Sequence, residues 1–167
     1  MGTNYWFTNY YDEVFFKLVE ESDLELVAKE GYVTFDDEYS VANGNILNHL
    51  DVQAIYVDYC TPGFGAVNDL KDNGREDIDL VVDGYDEHTL LALIDGSFDG
   101  VYSDVTYLVG FNAVLLACYG ILGKEEPDYS VCPAVKFTLE NMREIWKVGM
   151  GIPLPESVDK ALKAKGF

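Results

Sequence analysis

The sequence lacks any apolar run long enough to cross a bilayer. A membrane helix needs roughly 20 consecutive apolar residues. The nearest approach, Val105 to Leu122, is interrupted by Thr106, Gly110, Asn112 and Gly120. It reads as a buried helix in a soluble globular protein. Bases are also scarce: 11 Lys and Arg stand against 30 Asp and Glu, a net charge of −19. Phosphate neutralisation needs lysine and arginine, so this balance excludes nucleic-acid binding. It also repels anionic membranes and anionic substrates, although most of such an excess is ordinarily a solvated face. Three cysteines, Cys60, Cys118 and Cys132, show no CxxC or Cys/His spacing, which leaves no zinc site. An odd count argues against a closed disulfide framework, and the three read as buried thiols. The opening residues, MGTNYWFTNYYDE, carry neither a basic region nor an apolar core, so no signal peptide is expected in this chain.

The chain also lacks internal repeats, low-complexity stretches, a nucleophile elbow, a Walker loop and a dinucleotide fingerprint. His49 and His88 have no Ser or Cys partner at a recognisable catalytic spacing. No catalytic residue, metal ligand or cofactor is therefore expected.

What is present is an alternation of helical and strand periods, the mark of an α/β fold. Residues 12–21 carry a helical face of Val14, Phe15, Leu18 and Val19. Leu24 to Val33 alternates as a strand, and residues 37–50 again read as helix, with Val41, Ile46, Leu47 and Leu50 apolar. The units that follow are clearer. Val52 to Val57 is a short apolar strand, then comes a loop with Pro62 and Gly63, then a helix over Phe64 to Leu70 stopped near Asn73-Gly74. Ile78 to Val82 is a strand, and His88 to Ile94 is a helix stopped at Asp95-Gly96. A strand at Val101 to Ser103 precedes the long helix Tyr107 to Leu122, which Gly123 ends. Val131 to Phe137 is strand-like, Leu139 to Lys147 helical, and a last short helix follows Pro155.

Successive βα units of this length imply a parallel sheet covered on both faces. Ligands of such sheets bind outside the carboxyl ends of the strands. That rule selects Asp58 and Tyr59 after the first clear strand, Asp83 to Asp86 after the second, and Asp104 after the third. Any one of these aspartates has the alternative role of capping a helix or shaping a turn. Tyr11 and Tyr59 have the alternative role of rim or packing residues.

From roughly Val33 to Pro155 the chain resembles the second half of a type I periplasmic binding protein of the ribose/galactose class. The stretch AIYVDYCTPGFGAV stands where that family has a strand ending in Asn-Asp, with Gly65-Ala66 matching its Gly-Ala. NGREDIDLVVDGYDEH stands where the family has a "VVGFDG" segment. LLALIDGSFDGVYSDVTYLVGFNAV follows the pattern "L..I..G..DATVAQ.P...G..A", and PAVKFTLENMREIW resembles "P...VT.EN..E". Four such segments in order and spacing carry the resemblance.

The resemblance implies a three-layer α/β/α, flavodoxin-like lobe with a parallel sheet. It implies a non-catalytic binder of small polar solutes such as monosaccharides, serving an ABC permease from an extracytoplasmic position. By position, the family's ligand-binding Asp falls on Asp86, its Gln on Asp104 and its Asn on Tyr59, beside Asp58. The family's arginine would sit near Tyr11, where there is none. The hydrogen-bonding set is therefore altered, which implies a ligand other than a standard pentose or hexose, a cationic solute, or lost binding. The resemblance covers one lobe only. It implies a ligand-binding domain over residues 1–104, and a crossover helix with C-terminal segment over 105–167 that would pack partly on a missing first lobe. The lobe's first strand is represented at best by Tyr5 to Thr8. The Tyr107 to Leu122 helix then needs another cover, either a separate first-lobe chain or a second copy in a homodimer.

Three alternatives share parts of the pattern. A phosphoacceptor receiver domain would use Asp36-Asp37 after a Tyr32 to Phe35 strand, with Asp83 and Lys136 near Pro133, to hold Mg²⁺. A LacI-type effector-binding lobe shares the fold but would lack its DNA-binding part in this chain. A truncated protein with no ligand is the third.

Overall fold

The computed structural model describes residues 2–3, 6–32, 35–125 and 127–167, with backbone alone for residues 2–3, 6–8, 32 and 35–40. Two short strands, β1 (Gly2–Thr3) and β2 (Gly31–Tyr32), pair in parallel as a separate small sheet. The helices α1 (Trp6–Glu20) and α2 (Phe35–Asn48) follow them in turn. Then come β3 (Ala54–Val57), α3 (Cys60–Asp72), β4 (Asp79–Asp83), α4 (Glu87–Asp95), β5 (Gly100–Asp104) and α5 (Thr106–Ile121). The chain closes with β6 (Ala134–Phe137), α6 (Met142–Met150) and α7 (Glu156–Ala164).

The four-stranded sheet runs β3-β4-β5-β6, parallel over its first three strands and antiparallel at β6. The α/β class and the parallel βα units thus match the sequence reading, with one antiparallel edge added. Strand residues alternate between faces. Ile55, Val57, Leu80, Val82 and Val101 are buried on one face, and they pack with Ala66, Leu70, Leu90 and Phe98 into one contiguous core. Full burial of each such aliphatic side chain contributes about 1.5–3 kcal/mol. Gly63 matters to this packing, because a Cβ there would lie 2.6 Å from Val82 Cγ1. Its absence lets the first turn of α3 lie directly on β4.

Several local expectations are corrected. The strand expected at Tyr5 to Thr8 is helical from Trp6 onward, while Tyr5 lies outside the described residues. The reason is legible in retrospect: the pairs Trp6/Phe7, Tyr10/Tyr11, Val14/Phe15 and Leu18/Val19 recur every four residues, a helical spacing. Leu24 to Glu30 forms no strand. Leu24, Leu26 and Val27 are exposed, and only Gly31–Tyr32 pairs, with β1; Val33 lies outside the described residues. The proposed loop at Pro62 and Gly63 is instead the first turn of α3, where proline's missing N–H costs nothing. The Tyr32 to Phe35 strand also fails. Phe35, Asp36 and Asp37 open α2, Val33 and Thr34 lie outside the described residues, and β2 belongs to a different sheet from Asp83.

Helix α5 differs from all the others in having no buried residue. Only Leu108, Asn112, Leu116 and Tyr119 are partly covered, one narrow stripe along the helix. Tyr107, Val109, Phe111, Val114 and Ile121 are exposed, and no charged side chain occurs from Thr106 to Gly123. A helix apolar on every side belongs in an interior. Among the described residues, no helix is long and apolar enough to cross a membrane.

Candidate functional site

Pleat and register decide which side chains meet at the carboxyl ends of the strands. Val57 pairs with Val82 and Asp83 with Tyr102, so residues 56, 81, 83, 102 and 104 share the sheet face opposite the aliphatic core. Asp58, one residue past β3, continues that row. Two tyrosines stand on this face in otherwise small and aliphatic strands. The Tyr56 and Tyr102 hydroxyls share a hydrogen bond across β4, with their rings 6.0 Å apart. Helix α1 lies over the same face: the Phe15 ring stacks on Tyr56 at 4.5 Å and 14°.

Three carboxylates end these three strands. Asp58 is 4% exposed, Asp83 and Asp104 are half-buried, and the Ser103 hydroxyl donates to Asp104 Oδ1 at 3.3 Å. Burial pushes the Asp83 carboxyl up to about 7, helped by the charges of Asp104 and Asp58 and opposed by the Gly84 backbone amide. Gly84 itself turns the chain at φ 98°, a left-handed conformation that favours glycine. Burial likewise raises Tyr56 to about 12, with Asp83, Asp58 and Asp12 adding to it. Tyr102 is raised for the same first reason.

Of the residues selected from sequence, Tyr11, Asp58 and Asp104 are brought together. Tyr11 projects from α1, partly exposed, and its hydroxyl is raised first by burial and then by Asp104 and Asp83. Tyr59 is half-buried and precedes α3 as its N-cap, without a side-chain cap bond. Asp86 is exposed and caps α4: its Oδ1 accepts from the Thr89 amide at 2.7 Å and from the Thr89 hydroxyl at 2.8 Å. Within the Asp83 to Asp86 segment that the strand-end rule selects, the structure sets Asp83 on this face, and Tyr56 and Tyr102 join it without having been selected from sequence. Counting alternation back from Asp83 through Val81 would have placed it on the tyrosine face. Among the described residues, no group of three His, Cys, Asp or Glu side chains is disposed to hold a metal ion.

No protein-family model matches this sequence, and no curated protein does. Solved structures do. The periplasmic ribose ABC transporter of Conexibacter woesei is 20% identical, with a TM-score of 0.75 over 87% of this chain and 52% of its own. GanP, a glucose-galactose binding protein from Geobacillus stearothermophilus, is 18% identical at 0.75, over 84% and 52%. The 5-methylthioribose transporter solute binding protein of Thermotoga lettingae, solved with 5-methylthioribose, is 18% identical at 0.72, over 98% and 58%. The chain therefore has the fold of one half of a sugar-type periplasmic binding protein, and spans little more than half the length of these structures.

Proposed function

We propose that this chain is the C-terminal, ligand-binding lobe of a solute-binding protein serving an ABC-type importer. The observation that supports it best is the meeting of Asp58, Asp83, Asp104 and Tyr11 at the carboxyl ends of three parallel strands. The fold shared with ribose, glucose-galactose and 5-methylthioribose proteins supports the same reading. The ligand is a small polyhydroxylated solute. Carboxylates accept hydrogen bonds from its hydroxyls, and tyrosine rings offer a flat apolar face. Tyr59 and Asp86 line the rim, Asp86 through the carboxylate oxygen its helix cap leaves over. No bond is broken, so the lobe is not an enzyme and needs no cofactor.

The remaining features of such a system follow from this reading. The working location is extracytoplasmic and the downstream partner is a permease. Residues 1–104 supply the site, and residues 105–167 carry α5 out to a complementary first lobe, provided by another chain. In its absence, α5 pairs with a second copy.

Thermal melting across a panel of sugars, polyols and amines tests the binding role, because a ligand bound only by the folded state must stabilise it. A selective rise of several degrees is expected, lost in Asp58→Asn and in Asp83→Asn. A flat response from a folded protein would refute autonomous binding.

A further inference from the structure

We propose that two copies of this chain pair through α5 with the helices antiparallel, Tyr107 and Phe111 of one copy seated against Cys118 and Val114 of the other. This rests on the reading that the isolated lobe covers α5 with a second copy, and adds the orientation and register of the contact. Tyr107, Phe111, Val114, Cys118 and Ile121 are all exposed, and they are spaced alternately four and three residues apart. That is the spacing of a two-helix seam. At about 100° per residue these side chains fall within an arc of about 80°. The partly covered stripe of Leu108, Asn112, Leu116 and Tyr119 is centred about 140° away. That inner side is tied to its own chain, where Asn112 Nδ2 donates to Ser130 Oγ at 3.0 Å and α5 packs against α6. The seam therefore points away from the body.

Side-chain size selects a second copy and its direction. The large residues occupy the N-terminal half of the seam, where the Tyr107 and Phe111 rings stack at 6.5 Å. The smaller ones, Val114 and Cys118, follow. The helix is thus complementary to itself reversed. Antiparallel pairing sets Tyr107 against Cys118 and Phe111 against Val114, so each layer joins a large side chain to a small one. Parallel pairing would set ring against ring and thiol against thiol, and would align the two macrodipoles that the antiparallel arrangement opposes.

Charge agrees with this. Each chain carries −19, so copies repel over most of their surfaces. From Thr106 to Gly123 there is no charge to repel or desolvate. With the seams facing, the two acidic bodies lie on opposite sides of the helix pair. Two helices of about 10 Å each hold them roughly 20 Å apart, beyond the Debye length of about 8 Å in physiological salt. One helix pair is a small contact beside the standard interface of about 1,200–2,000 Å². The dimer is therefore reversible.

Mixing charged variants tests the register, with mass read by analytical ultracentrifugation over a concentration series. Phe111→Lys and Val114→Asp alter exposed positions, and each alone is expected to weaken self-association by about tenfold or more. Mixed one to one, the two should dimerise again. Antiparallel pairing sets the substituted position 111 against the substituted position 114, and the unchanged Val114 against the unchanged Phe111. Parallel pairing would set each new charge against an apolar side chain. Cross-linking gives an independent readout. Under mild oxidation Tyr107→Cys is expected to trap a disulfide-linked dimer through Cys118 of the other copy, and Tyr107→Cys with Cys118→Ser is not. A monomeric wild type, a mixture that stays monomeric, or wild-type Cys118 cross-linking to itself as readily would each overturn the antiparallel pair. Solute binding in the melting panel is read separately, and its presence in a monomeric chain would leave the solute-binding reading standing.

Discussion

Asp83→Asn is expected to raise the melting temperature at pH 8 by about 4–8 °C and to leave it nearly unchanged at pH 4. The cause lies in where the proton sits. The folded carboxyl titrates at about 7, above its usual 3.8, because it is buried beside Asp104 and Asp58. The native state therefore holds a proton that the unfolded chain has already released between those two values. Stability from this group is complete below about pH 4 and is lost as pH rises through about 7. The full difference corresponds to about 4 kcal/mol, and solvent reaching the half-buried side chain reduces the expected yield to about 2 kcal/mol. For a chain of this length that is several degrees. Asparagine is isosteric and never ionises, so it removes the penalty only where the wild type carries it. Melting scans of both proteins at pH 4, 6 and 8 decide the matter; a destabilised variant at pH 8 would contradict it.

The second large effect concerns α5. The isolated wild-type chain is expected to self-associate, and Phe111→Asp with Val114→Asp to return it to a monomer with its melting temperature held within about 2 °C. Phe111 and Val114 are 54% and 66% exposed and lie three residues apart, on one side of the helix. Neither supports the core, so a charge there costs little in the folded monomer, while two carboxylates buried in a contact between copies cost several kcal/mol. Surface substitutions of this kind are usually within about 0.5 kcal/mol in the monomer itself. Light scattering over a concentration series reads the result. A monomeric wild type would remove self-association from the reading, and a double variant of unchanged mass would move the contact away from this face.

The central βα units were legible in the sequence because each strand is a short apolar run and each helix ends on a strong stop. Asn73-Gly74, Gly96 and Gly123 all close helices within two residues of where the pattern predicted. In the first third the two helices were legible, but the start of α1 and the strands were not. The apolar pairs at every fourth residue extend back to Trp6/Phe7, ahead of the Asp12 start that the helical face of Val14, Phe15, Leu18 and Val19 suggests by itself. Leu24 to Ala28 alternates as a half-buried strand would, but pairing is a tertiary event, and these residues meet no neighbouring strand.

At the site, motif position favoured Asp86, whose Oδ1 the fold uses as a helix cap. Asp83, three residues earlier, is the carboxylate that register sets beside Asp58 and Tyr102. Strand ends can be read from a single sequence. Which of two nearby aspartates faces the crevice depends on the pleat, and Gly84 turns the chain between them.

Hydrogen exchange of the backbone amides, with and without the best-stabilising solute of the melting panel, tests the proposed location most directly. Bound solute should slow exchange at residues 57–60, 83–86 and 103–105, the carboxyl ends of β3, β4 and β5. Protection confined to the opposite edge of the sheet, around the pocket formed by Lys71, Glu76, Ser97 and Asp99, or confined to α5, would contradict a site at the strand ends.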